Sequence, residues 1–217
     1  MTKYDCIIPW SGGVESTAVV NWAINKKLNP LCIHNRMSPG EWESVQNMSK
    51  ILDVEVFKYE EDTTQLPLDP DSRYYYSNKL NFKGKWSPVI HRWVYWCLIT
   101  NLTNPTITKI YYGHCGAGST VTGDGQGDRM HDGAVSLFRN FEEYLKIYHV
   151  ESKFIAPLDH LTKREQWLTL PEELKREIYT CPDFDSNVRR INCKSYDCHK
   201  CHELMKAVPN EELHYIK

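Results

Sequence analysis

The apolar run Cys6-Ile7-Ile8-Pro9-Trp10 stops at Ser11-Gly12-Gly13 and passes straight into a stretch, Val14 to Lys27, in which Ala18, Val19, Trp22 and Ala23 recur at helical spacing. Strand, glycine turn, helix: this opening constrains the chain more than any other feature, because it is the first half of a β-α-β unit. The pattern then repeats. Leu31-Cys32-Ile33-His34 reads as a second strand, Trp42, Val45, Met48, Ile51 and Leu52 as one face of a second helix, and Val54-Glu55-Val56-Phe57 as a third strand. Each crossover is long enough to hold a helix, so the sheet is expected to be mostly parallel and covered on both faces.

From Glu60 to Lys85 the pattern lapses into Asp, Pro, Ser, Asn and a Tyr74-Tyr75-Tyr76 run, too long for an ordinary connection; loops of this length are often functional. Ser87 as N-cap and Pro88 in the first turn open a third helix reaching about Leu102. Ile110-Tyr111-Tyr112 is a fourth strand ending at Gly113. After a glycine-rich stretch, Ala134, Leu137, Phe138, Phe141, Leu145 and Tyr148 give the clearest amphipathic helix in the chain. Phe154-Ile155-Ala156 is a fifth strand, and Thr162 with Glu165 forms a capping-box signature for another helix.

The 217 residues fit one domain, or one domain with a small appendage. A formal charge of −2 lacks the positive excess that phosphate-backbone binding requires, so no stable nucleic-acid partner is expected. No apolar run approaches the roughly 20 residues of a membrane span, and the polar start is no secretory signal. The expectation is a cytoplasmic protein with no membrane partner.

A strand that ends in Ser-Gly-Gly and turns into a helix sets backbone amides and a helix N-terminus where phosphate oxygens can sit. Ser11, Ser16 and Thr17 add hydroxyls. No lysine follows the glycines, which excludes the Walker arrangement. A bare glycine pair often serves backbone geometry alone. Here the heptad Ser11-Gly12-Gly13-Val14-Glu15-Ser16-Thr17 resembles the Ser-Gly-Gly-x-Asp-Ser-Thr loop of the PP-loop (N-type) ATP pyrophosphatases, which cleave ATP between its alpha and beta phosphates. Glu15 replaces that family's aspartate, keeping the carboxylate and moving it by one methylene.

Eight cysteines without a secretory signal point to metal binding or buried thiols rather than to disulfides. Cys6, Cys32, Cys97 and Cys115 are scattered in apolar surroundings. Cys181, Cys193, Cys198 and Cys201 crowd one segment, with intervals of eleven, four and two residues. The C-x-x-C pair lets one turn present two thiolates to a tetrahedral ion, and two more close the site, so a structural Zn2+ is the expectation. His199 and His202 stand beside them as possible substitutes. A redox pair fits less well, because such pairs open a domain's first helix.

Taken together, the loop and the cysteine segment resemble 7-cyano-7-deazaguanine synthase. The similarity extends through Gly113-His114-Cys115 and through Pro157-Leu158 followed by Lys163-Arg164-Glu165-Gln166-Trp167. It departs where that family carries Pro-x-Arg-Asn and Tyr-Pro-Asp-Cys-Arg on its substrate side. This chain has Pro88 with His91-Arg92 at the first place and Gly127-Asp128-Arg129 with Asp132 at the second. The resemblance implies MgATP chemistry with Ser11, Glu15 and Ser16 catalytic and ATP held by residues 11–17, with His34 and Gly113 beside the adenosine. It further implies a 7-deazaguanine carboxylate and ammonia as substrates, the base held by Arg92, Asp128, Arg129 and Asp132, Zn2+ on Cys181, Cys193, Cys198 and Cys201, and a homodimer. A relative acting on another carboxylate or stopping at the amide, a tRNA-modifying PP-loop enzyme and a non-catalytic nucleotide-binding module are the alternatives.

The expected architecture is a doubly wound α/β domain of about five parallel strands over residues 1–170, with a small zinc-binding lobe over 171–217 and ligands beyond the carboxyl ends of the strands. Trp93 and Trp96 read as core more than as a stacking platform. Lys163-Arg164 reads as a solvated pair. The segment from Gly116 to Gly127 reads equally as a lid or as a plain surface loop.

Overall fold

A computed structural model describes residues 3–35, 39–59, 87–114, 126–179, 205 and 207–215. Five strands form one all-parallel sheet: β1 (Cys6–Pro9), β2 (Pro30–Asn35), β3 (Val56–Tyr59), β4 (Lys109–Tyr111) and β5 (Lys153–Ile155), in the order β3-β2-β1-β4-β5. Between and after them run α1 (Val14–Asn25), α2 (Pro39–Leu52), α3 (Ser87–Thr103), α4 (Gln126–Ile147), α5 (Lys163–Leu168) and α6 (Glu172–Lys175), and a 3-10 turn spans Asn210–Tyr215.

Strand side chains alternate between faces, and the core divides accordingly. Cys6, Ile8 and Cys32 join Ala18, Val19, Met48 and Trp167 on one face, under α1, α2 and α5. Ile7, Leu31, Ile33 and Ile110 join Cys97 of α3 on the other, where Phe154 also stacks on Phe138 of α4. The fold is therefore a doubly wound α/β sheet. Leu174, Ile178 and Val208 pack into the first of these cores, so the described residues on both flanks of the cysteine segment rest on the sheet domain.

Two elements differ from the sequence reading. Strand β3 begins two residues later than expected and ends at Tyr59, whose ring stacks on Trp96 with centroids 4.2 Å apart, a packing role for that tryptophan. Helix α4 starts at Gln126 rather than near Ala134, taking Gly127, Asp128, Arg129 and Asp132 into its first turns. Its Phe138 is buried, with Leu137, Phe141, Tyr112 and Phe154 packed around it, and helix propagation from that anchored stretch overrides the low propensity of Gly127 and Gly133. Cys6, Cys32 and Cys97 are buried free thiols, as expected.

Candidate active site

Strand β1 lies at the centre of the sheet, between β2 and β4. From β1 the chain winds outward through β2 to β3, crosses back over the sheet to β4 on the other side of β1, and winds outward again to β5, so the two halves of the winding diverge at the β1/β4 boundary. In open α/β sheets ligands bind in the crevice at such a switch point, beyond the carboxyl ends of the strands. The loop Ser11-Gly12-Gly13 sits there, and Gly113, at the end of β4, closes its other side.

The loop is built tightly. Gly12 has φ +85, a conformation only glycine adopts without strain, and a Cβ there would meet Val45 Cγ2 at 3.2 Å and Ser44 Oγ at 3.5 Å. Gly13 is the N-cap of α1 and supplies no side chain to cap it, which leaves the amides of the first turn directed out of the helix end. The Ser11 and Ser16 hydroxyls are 3.0 Å apart, Ser16 Oγ accepts from the Ser11 amide at 3.2 Å, and the Gly13 amide points at Ser11 Oγ, 3.4 Å away. Two hydroxyls and a helix N-terminus thus converge within one turn. At Gly113 a Cβ would stand 2.4 Å from the main-chain carbon of Glu15 and from the nitrogen of Ser16, so the end of β4 touches the first turn of α1 backbone to backbone.

Two expected hydroxyl or ring contributors lie deeper than the sequence implied. Thr17 is fully buried, its Oγ1 accepting from Trp10 Nε1 at 3.0 Å and donating to Met48 Sδ at 3.7 Å, so its hydroxyl fastens α1 to the core. His34 is also fully buried. Its Nδ1 lies 2.8 Å from the Trp10 carbonyl oxygen and its ring stacks on Trp42, so it holds the strand end from which the loop departs.

Lys163 is the residue the sequence reading misplaced. Arg164 is exposed, as expected, but Lys163 is buried, with Nζ 2.8 Å from Glu15 Oε1 and side chains 9% and 26% exposed. The capping box brings it there: Thr162 Oγ1 accepts from the Glu165 amide at 3.1 Å, and Glu165 Oε2 accepts from the Thr162 amide at 2.7 Å, starting α5 at Lys163. Gln166 Nε2 donates to the carbonyls of His114 at 2.7 Å and Leu158 at 3.0 Å, and Asn21 Nδ2 donates to the Thr169 carbonyl, locking α5 onto α1 and the end of β4. A cation therefore stands beside the loop although none follows the glycines in sequence. The signal available was the similarity around Lys163-Arg164-Glu165-Gln166-Trp167, which did not say what the lysine faces.

Helices α3 and α4 precede β4 and β5 and run against them, so both begin at the carboxyl edge of the sheet. Arg92 falls in the early turns of α3, and Asp128, Arg129 and Asp132 in those of α4, on the same edge as the loop. Their side chains lie outside the described residues, as do Cys115, Cys181, Cys193, Cys198 and Cys201. Among the described residues no helix is long and apolar enough to cross a membrane.

No protein-family model matches the chain, and no curated protein does. Among solved structures it is similar to the U34-tRNA thiolase NcsA from Methanococcus maripaludis, determined with its 4Fe-4S cluster. The identity is 16% and the TM-score 0.49, over 84% of this chain and 62% of that one. The chain thus spans less than two thirds of that protein's length.

Proposed function

We propose that the chain is a PP-loop enzyme that binds MgATP at residues 11–17 and activates a carboxylate as its adenylate, with 7-carboxy-7-deazaguanine and ammonia as the substrates that the sequence resemblance favours. The observation that carries the reading is the placement of Ser11-Gly12-Gly13 at the switch point of a parallel sheet, with the α1 amides, two hydroxyls and Lys163 converging on it. The Ser11 and Ser16 hydroxyls and the Gly13 amide offer donors to phosphate oxygens, and Lys163 offers charge neutralisation. Glu15 and the serine hydroxyls are oxygen donors of the kind a hard Mg2+ takes. Main-chain atoms near His34 and Gly113, at the ends of β2 and β4, are the walls available to the adenosine.

The substrate carboxylate attacks the alpha phosphate, giving an acyl adenylate and pyrophosphate; ammonia displaces AMP to form the amide. A second activation, on the amide oxygen, allows its loss as the nitrile. The enzyme's share is positioning and electrostatic stabilisation, without a covalent enzyme intermediate. Arg92 or Arg129 would pair the carboxylate and Asp128 or Asp132 the guanine-like edge. The four clustered cysteines would hold a structural Zn2+ on the strength of their spacing. The expected assembly is a homodimer.

Mass spectrometry of a reaction containing 7-carboxy-7-deazaguanine, ammonia and MgATP tests the substrate. Conversion to 7-cyano-7-deazaguanine is expected. An amide that never becomes the nitrile marks a one-step relative, and absence of turnover with this base redirects the assignment to another carboxylate or to a tRNA substrate.

A further inference from the structure

The segment Glu177–Tyr179, which leaves the turn that ends α6, reaches the phosphate loop from far along the chain. The Tyr179 amide donates to the Gly12 carbonyl at 3.0 Å. Two side chains of α2 hold the same segment: Ser44 Oγ donates to the Glu177 carbonyl, and Asn47 Nδ2 donates to Glu177 Oε2 at 2.9 Å. Ile178 and Tyr179 are buried, Ile178 within the core beneath α1 and α2.

We propose that Glu177–Tyr179 is a positioning element for the phosphate loop, with the Tyr179 amide fixing the orientation of the Gly12–Gly13 peptide and Ser44 and Asn47 fixing Tyr179 through Glu177. The Gly12 carbonyl and the Gly13 amide belong to one planar trans peptide and point in opposite directions. Holding the carbonyl toward Tyr179 therefore turns the Gly13 N–H toward the Ser11 and Ser16 hydroxyls, the side on which those donors gather. Glycine at φ +85 has little intrinsic preference for that orientation, so without an external donor to the Gly12 carbonyl the peptide is held only by its long local contact to Ser11 Oγ. Tyr179 stands two residues before Cys181, so this hydrogen bond is also the nearest described link between the loop and the cysteine segment.

The role in nucleotide affinity rests on the phosphate-loop reading; the peptide orientation does not. The test uses the full chain labelled with 15N-glycine, its MgATP affinity measured by titration calorimetry in parallel. Asn47→Asp sets two carboxylates against each other and is expected to shift the Gly13 amide resonance, speed its exchange with solvent, and weaken MgATP binding about fivefold to tenfold, the net worth of a hydrogen bond. Adding Glu177→Gln to Asn47→Asp restores an amide-to-carboxylate bond and is expected to restore both readouts, which a general loss of stability would not do. Ser44→Ala gives a second, milder break should Asn47→Asp fold poorly. Unchanged Gly12 and Gly13 resonances in Ser44→Ala and Asn47→Asp overturn the proposal whatever the nucleotide data. Resonances that move as expected in a protein that binds no MgATP uphold the positioning and overturn the phosphate-loop reading instead. Moved resonances with unchanged MgATP affinity overturn the role in binding.

Discussion

Lys163 Nζ lies 2.8 Å from Glu15 Oε1, joining the first turn of α5 to the first turn of α1 at the edge of the Ser11-Gly12-Gly13 loop. The pair is mostly withdrawn from solvent, so removing one partner strands the other. Lys163→Met is expected to cost about 2 kcal/mol of stability, read as a lower urea midpoint, and to abolish AMP formation. Combining it with Glu15→Gln should recover most of the stability and none of the activity. Glu15→Asp keeps the carboxylate within reach of a long lysine side chain and should leave activity intact.

Gly113 is expected to tolerate no side chain. A methyl group there would overlap the Glu15 and Ser16 backbone at 2.4 Å, and backbone cannot swing aside as a side-chain end can. Gly113→Ala should lower the melting temperature by several degrees, for a cost of about 2–3 kcal/mol, and should displace the α1 first turn enough to weaken MgATP binding. A variant with wild-type melting and affinity would show that β4 does not abut the loop.

The Glu165 capping box sets a pH signature. Its carboxylate is held below the usual range chiefly because it accepts the Thr162 backbone amide, with the Thr162 hydroxyl adding to the effect. A folded pKa below the unfolded one means that the stabilisation is whole above the unfolded value of about 4.3 and is lost as pH falls through the folded value. Urea midpoints of the wild type and Glu165→Ala should differ near neutrality and converge in acid. A difference that persists unchanged at low pH would rule the box out as its source.

Burial pushes the Cys6 thiol up to about 12, and raises Cys32 and Cys97 as well. All three should resist thiol reagents in the native protein at pH 8. The four clustered cysteines should also resist until a chelator removes about one zinc per chain. Cys198→Ser should lose that metal and part of the stability. Freshly purified protein without stoichiometric metal, whose stability Cys198→Ser leaves unchanged, would refute a structural zinc site.

Much of this architecture is legible in local pattern. Short apolar runs marked all five strands, 3.6-residue apolar spacing marked the helices α1, α2 and α4, and Thr162 with Glu165 announced the start of α5, because those signals lie within a few residues of one another. The strand order was not legible, since pairing joins segments that are distant in sequence. The hidden features of the site have the same cause. Lys163 carries no mark of facing Glu15, and the bond from Tyr179 to Gly12 uses only main-chain atoms, which any residue supplies. Thr17 looked like a phosphate donor because its hydroxyl is next in line after Ser16, yet a helix turns 100° per residue and carries it to Trp10 and Met48 in the core.

ATP labelled at the alpha phosphate tests the central claim most directly. Incubated with MgATP, ammonia and 7-carboxy-7-deazaguanine, the wild-type protein should release label as AMP, with pyrophosphate formed in equal amount, while Ser11→Ala and Gly13→Val release none. Label appearing as ADP, with activity surviving Gly13→Val, would contradict phosphate cradling by Ser11-Gly12-Gly13.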